Sequence, residues 1–310
     1  ENTRVFRDVQ QVGAVLREMN ARGDVYGTAV KPQVAIVYDV ENRWALDAAA
    51  GPRNKDKDEK YVETLLSHYR PFWDAGVQVD IVDMDGDISG YKLVIAPMLY
   101  MYRAGFEQKM RAFVENGGTL VTTYWSGIVD ENDLCRLGGV PGGMMDVFGV
   151  WNEEIDSLPD GVKNSVAMDG RRYDAFELCA RIHPITAEVL GTYEKDFYAG
   201  EPAVTKNRFG RGAAYYIAAR TGSDMLAALY GGLIASLGIG RALDAALPAG
   251  VTAHERVGEN GSVVFVENYN DAEKTVELPA GCELYGTGER VNSIKLAPFG
   301  VAVLSKFTEI

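Results

Sequence analysis

Four short apolar runs, Val34 to Tyr38, Val77 to Val82, Leu93 to Ala96 and Leu120 to Thr123, alternate along the chain with stretches whose apolar residues recur at helical spacing. Each run is too short for a buried helix and β-branched enough for a central strand covered on both faces. Between them, Tyr61, Leu65, Leu66, Tyr69, Phe72 and Trp73 form one helical stripe, bent or interrupted at Pro71 and closed by Gly76. Phe106, Met110, Phe113 and Val114 form a second stripe. This alternation predicts an α/β fold, a doubly wound and mostly parallel sheet with right-handed crossovers.

Upstream, Val5, Val9, Val12, Leu16 and Met19 predict an amphipathic opening helix, capped by Asn2-Thr3 and stopped by Gly23, and a polar loop is expected from Gly51 to Asp58. From Trp151 the texture changes. Ser165 to Ala167, Tyr173 to Ala180, Glu188 to Tyr193, Ala203 to Lys206 and Ala213 to Ala218 read as strands, with Arg208-Phe-Gly-Arg-Gly212 turning the last two into a hairpin. A helix follows over Ser223 to Leu237, and Gly238 to Gly250 reads as a linker. Five strand-like pieces around Val251, Val263, Val276, Leu284 and Val301, separated by Glu259-Asn-Gly261, Asn270-Asp271 and Gly286 to Gly288, predict a small antiparallel sandwich.

The 310 residues can hold about two domains, and 47% hydrophobic with 24% charged residues can bury full cores. A net charge of −13 without a basic cluster repels phosphate backbones and acidic membrane surfaces, which argues against both as partners. The three cysteines, Cys135, Cys179 and Cys282, fit neither a disulfide framework nor a zinc site, so a reducing, cytoplasmic compartment is expected. Neither a membrane-spanning apolar run nor a signal peptide is encoded, although a cleaved signal on a longer precursor is compatible with the sequence.

Tyr38-Asp-Val-Glu-Asn-Arg-Trp44, Tyr69-Arg-Pro-Phe-Trp73, Gly76-Val-Gln-Val-Asp80, Tyr91 to Pro97 and Gly117 to Asp133, in this order and spacing, resemble the trimerisation domain of family 42 β-galactosidases. Gly200-Glu-Pro-Ala-Val204 and Gly210 to Ile217 resemble the end of that domain, and residues 250 to 310 its β-sandwich tail. Asn2-Thr-Arg-Val-Phe-Arg-Asp8 and its helix look like the last helix of the family's catalytic barrel. The resemblance implies three parts: a remnant barrel helix over 1–28, a trimerisation-type α/β domain of the class I glutamine-amidotransferase kind over 29–246, and a C-terminal β-sandwich over 247–310. It also implies a homotrimeric parent that removes terminal β-galactosyl units with retention, using two Glu residues of a barrel that precedes Asn2. A chain starting at Glu1 inside such a helix reads as a fragment, inactive by itself. The alternative reading is a self-sufficient amidotransferase-like hydrolase or small-ligand-binding domain.

No catalytic, cofactor or metal residue is assigned. Retaining glycoside hydrolysis uses two carboxyl groups about 5 to 5.5 Å apart. Trp151-Asn-Glu-Glu154 carries the Asn-Glu pair of that chemistry, yet Glu153 and Glu154 lie outside any barrel repeat and read as solvated. Ser126, after the fourth strand, sits where a nucleophile elbow would expose it, with His183 as its base, but Tyr124 and Ile128 are too bulky for that turn. Gly138-Gly139 and Gly142-Gly143 lack the spacing of a dinucleotide loop and read as a mobile loop. Asp80, Asp83, Asp85 and Asp87 lack the bidentate Glu of a calcium loop. Large aromatics after parallel strands face the carboxyl edge of a sheet, where ligands and partners bind, so Trp44, Tyr100, Tyr102 and Trp125 are the interface candidates, with Trp151 a further aromatic of interest.

Overall fold

The computed structural model describes residues 3–22, 25–49, 60–259 and 261–306. The expected loop at 51–58, the stop at Gly23, the part of Asn2 in the cap and Asn260 of the expected turn lie outside these residues. The described residues fall into two compact units, one drawn from Gln33–Pro71 and Val79–Ile239, the other from Glu1–Pro32, Phe72–Gln78 and Gly240–Ile310.

The opening helix α1 (Arg4–Arg22) belongs to the second unit, and the Thr3 hydroxyl accepts from the Phe6 N–H at 3.2 Å at its start. None of its residues is buried.

In the first unit, β1 (Val34–Val37), α2 (Val40–Ala48), α3 (Tyr61–Asp74, whose end from Phe72 falls in the other unit), β2 (Val79–Val82), β3 (Leu93–Ala96), α4 (Phe106–Glu115) and β4 (Thr119–Thr123) follow in order. Strand β1 pairs in parallel with β2 and β3, and β3 with β4. All residues of β1, β3 and β4 are buried, as covered faces on both sides of a parallel sheet demand. Helix α2 was not legible in the sequence: it is nine residues long, and its start is set by Asp39, whose carboxylate caps the Asn42 N–H at 2.9 Å. Helix α4 lies so close to its own exit that a Cβ on Gly118 would fall 2.3 Å from the Phe113 ring.

The second half of this unit runs through α5 (Met145–Phe148), β5 (Val150–Ser157), β6 (Lys163–Met168), β7 (Arg171–Pro184), β8 (Glu188–Tyr193), β9 (Pro202–Phe209), β10 (Gly212–Ile217) and β11 (Ala219–Thr221) to α6 (Ser223–Ser236). All eleven strands make one sheet, ordered β11-β7-β6-β8-β9-β10-β4-β3-β1-β2 with β5 on β7. The expectation of a mostly parallel sheet is corrected here. Parallel pairing is confined to β2-β1-β3-β4-β10, and the remaining strands pair antiparallel, giving a mixed sheet. Tight turns such as Asp169-Gly170 leave no room for the crossover of a dozen or more residues that a parallel return needs. Strand β5, which was not among the expected strands, is polar because its exposed residues outnumber its buried ones. Helix α6 buries Met225, Leu226, Leu229, Tyr230, Leu233 and Ile234.

The other unit contains β12 (Val251–Gly258), β13 (Gly261–Asn268), β14 (Lys274–Glu277), β15 (Cys282–Leu284), β16 (Ser293–Leu296) and β17 (Val301–Lys306). They form an antiparallel sheet ordered β12-β13-β17-β15 and a β14-β16 pair, so the expected five pieces are six, with Ser293–Leu296 the one missed. The segment expected to be a linker is partly core: Ala242 and Leu243 are buried with Val251, Val264, Val266, Ile294 and Leu304.

Candidate functional site

The carboxyl ends of β1, β3 and β4 are tied together by side chains that point back at backbone. Asn42, buried in the first turn of α2, donates to the Met98 carbonyl at 3.2 Å and accepts from the Met101 N–H at 2.9 Å. Thr123 accepts from the Met98 N–H at 2.8 Å, and Ser126 from the Leu99 N–H at 3.1 Å. Arg220, on β11, spans the same region: it donates to the Tyr124 hydroxyl at 2.9 Å and pairs with Glu177, which also holds Lys60 at 2.6 Å. Burial pushes the Glu177 pKa up, and the bonds from Lys60 and Arg220 more than offset it, so the group titrates below its ordinary range. Met98, Trp125 and Glu177 adopt φ of 46°, 60° and 63°, left-handed values costing about 1–3 kcal/mol each in a residue with a side chain. Arg220 bonds two of these residues, Met98 through its sulfur at 3.2 Å and Glu177. Its signal in the sequence was a lone Arg inside Ala218-Ala219-Arg220-Thr221, which was overlooked.

The four candidate aromatics part company here. Trp44 is 65% exposed. With Val40 and Ile81, 46% and 56% exposed, it lines a shallow cleft of about 480 Å3 whose other walls include Asp39, Glu41, Asp83, Asp85 and Arg103. Trp125 is half-buried and stacks on Tyr100 with ring centres 6.0 Å apart. Tyr100 is itself buried and donates to Asp133 at 3.1 Å; burial and that carboxylate push its pKa up to about 12. Tyr102 must be withdrawn as a contact residue, because its side chain has no exposed surface and lies against Phe106 and beneath the Arg136 guanidinium.

Arg103 bonds Asp85 at 2.9 Å, Asp39 at 3.0 Å and Glu41 at 3.4 Å. Partial burial lowers its pKa, and the three carboxylates outweigh that and leave it raised. One guanidinium facing three carboxylates, with Asp83 beside them, leaves the rim of the Trp44 cleft acidic.

The remaining sequence candidates have ordinary structural employment. Ser126 is wholly buried, and the left-handed residue after β4 is Trp125, so the turn presents no nucleophile. His183 is bonded to Glu153 at 2.6 Å, and among the described residues no Ser126–His183 bond forms. Glu153 and Glu154 sit at a bulge of β5, and Glu154 is held by Arg181 at 2.8 Å. Asp83 accepts from the N–H groups of Asp85 and Gly86 at 2.9 and 2.7 Å, Asp87 from that of Ser89 at 2.9 Å, and Asp80 from the Tyr91 hydroxyl at 2.7 Å. Among the described residues no group of three His, Cys, Asp or Glu could hold a metal ion. Gly142 packs its backbone against Arg136 and the Gly127 carbonyl, a reason for glycine that involves no phosphate.

Residues 32–240 match the family model of the β-galactosidase trimerisation domain, and residues 250–306 that of the β-galactosidase C-terminal domain. The β-galactosidase Pbg of Clostridium perfringens is 48% identical over 317 aligned residues, covering 99% of this chain and 45% of Pbg. A solved β-galactosidase from Rahnella sp. R3 superposes with a TM-score of 0.91 at 43% identity, over 99% of this chain and 45% of that one. Gan42B, a GH42 β-galactosidase of G. stearothermophilus, gives 0.93 at 38% identity, over 99% and 44%. The chain therefore spans less than half the length of the relatives it matches.

Proposed function

The chain belongs to the family 42 β-galactosidases, of which it carries the trimerisation and C-terminal domains, and we propose that its own work is assembly rather than bond cleavage. The parent activity is the retaining hydrolysis of terminal β-galactosides, with both catalytic Glu residues in a barrel outside these residues, and the assembled form is a cytoplasmic homotrimer. On this reading 1–28 is the last barrel helix, 29–246 the assembly domain and 247–310 the C-terminal domain. The parallel half of the assembly domain is of the glutamine-amidotransferase kind, with Trp125 at the turn where such domains carry a nucleophile.

One observation carries the reading. The matched trimerisation segment leaves Val40, Trp44 and Ile81 exposed on a single cleft, an apolar surface that a second subunit would cover. The one Asn-Glu string of the sequence is otherwise occupied: Glu153 and Glu154 are engaged by His183 and Arg181. With a nitrophenyl β-galactoside as substrate, the chain is expected to release no nitrophenol above background. Turnover that disappears in Glu153→Gln would contradict the proposal.

A further inference from the structure

The bulge in β5 has a consequence beyond assembly. Two residues, Asn152 and Glu154, pair with consecutive positions of β7, so Glu153 is the extra residue, and bulges of this kind re-aim a side chain. Here the side chain meets His183, whose ring is stacked on Trp151 with centres 4.5 Å apart and planes 22° from parallel. Glu153 also lies 3.5 Å from Arg181, and Phe197 covers that guanidinium at 5.2 Å. The result is a continuous array, Trp151–His183–Glu153–Arg181–Phe197, with an exposed aromatic ring at each end: Trp151 is 40% exposed and Phe197 70%.

We propose that this array is a binding platform for a neutral saccharide. With one face of Trp151 on the imidazole and the residue 40% exposed, the indole offers surface to the C–H face of a sugar ring. The hydrogen-bonding balance then selects the ligand. Three carboxylates, Glu153, Glu154 and Glu201, share the donors of one guanidinium and one imidazole. The Arg181 nitrogens are already committed, Nε and Nη2 to Glu201 and Nη1 to Glu154. Each carboxylate can accept about four hydrogen bonds, so acceptors remain in excess. An anion meets three carboxylates against one guanidinium, and a polyol supplies the hydroxyl donors that are wanted together with an apolar face.

The platform stands on its own geometry, while the choice of a galactoside as first probe rests on the proposed function. Methyl β-galactoside and a β-linked galactobiose are titrated against the chain, followed by saturation-transfer NMR and tryptophan fluorescence. A Kd on the order of 1 mM is expected, the strength a small exposed contact supplies. Trp151→Ala and Glu153→Gln should each weaken binding about tenfold or more with the circular dichroism unchanged, whereas Leu137→Ser, at a 98% exposed position outside the array, should not affect it. Binding that survives both platform variants, or wild-type binding only to a lysine-rich peptide, would overturn the proposal. So would absence of saturation transfer from any neutral saccharide, or a loss of self-association in Trp151→Ala, which would make the array a subunit contact. Failure of the two readings is distinguishable: turnover refutes the assembly reading and leaves the platform standing, whereas no turnover and no binding refutes the platform alone.

Discussion

Helices α1 and α6 present the same kind of sequence pattern and meet opposite fates. Both carry apolar residues at helical spacing, over about four turns in α1 and about three in α6. In α6 six of these are buried, and Tyr230 bonds the wholly buried His68 of α3. In α1, Val5, Val9, Val12 and Leu16 are 59–64% exposed, and the ties run instead through polar groups such as Arg22, which donates to the Gly286 carbonyl at 3.2 Å. Periodicity therefore establishes that a helix forms and which face is apolar, but leaves unsaid what covers that face. Among the described residues nothing buries the stripe of α1.

The sharpest way to break the comparison is amide exchange. Protection in α6 should approach the global stability, about 5–15 kcal/mol for an ordinary domain, while α1 exchanges with an opening cost near zero. Equal protection of residues 4–19 and of α6 in a dilute sample would show that α1 is integral to this fold and that its stripe has a cover.

Substitution should reproduce the contrast on a smaller scale. Met225→Ala, at a fully buried position of α6, should cost about 2–5 kcal/mol by chemical denaturation, and Leu16→Ala on α1 no more than about 0.5. Similar losses at both sites would erase the distinction.

A pH-dependent effect comes from the floor on which α6 rests, where Tyr230 meets His68. Burial lowers the His68 pKa from 6.5 to about 3, so between those values the unfolded chain binds a proton that the folded chain refuses. The contribution is complete above pH 6.5 and is lost as pH falls towards 3, at up to about 1.4 kcal/mol per unit. Denaturation curves of the wild type and of His68→Asn should differ in slope over that window; parallel curves would mean that the imidazole does not stay neutral.

Much of this was legible beforehand because burial and periodicity coincide. The helix expected over Ser223 to Leu237 and the continuous runs of β1, β3 and β4 are apolar segments that the fold buries. Strand β5 was missed because its exposed Trp151, Glu153 and Glu154 and its bulge suppress the alternation that marks a half-buried strand. The candidate interface was legible only in part. Position after a parallel strand placed Trp44 and Tyr102 at the same edge, yet Tyr102 is roofed by Arg136, thirty-four residues away in the chain. Local pattern carries no information about that cover. The acidic surround of Trp44 escaped notice for the same reason, since Asp39, Glu41, Asp83 and Asp85 converge only through the parallel pairing of β1 with β2.

The measurement that bears most directly on the account is the mass of the chain in solution, by light scattering over a dilution series. The account predicts a trimer of the wild type, and Trp44→Asp should shift it towards monomer with a loss of about 2 kcal/mol or more per contact, as for a buried aromatic anchor. A wild-type monomer at every concentration, or a trimer indifferent to Trp44→Asp, would contradict assembly through this cleft.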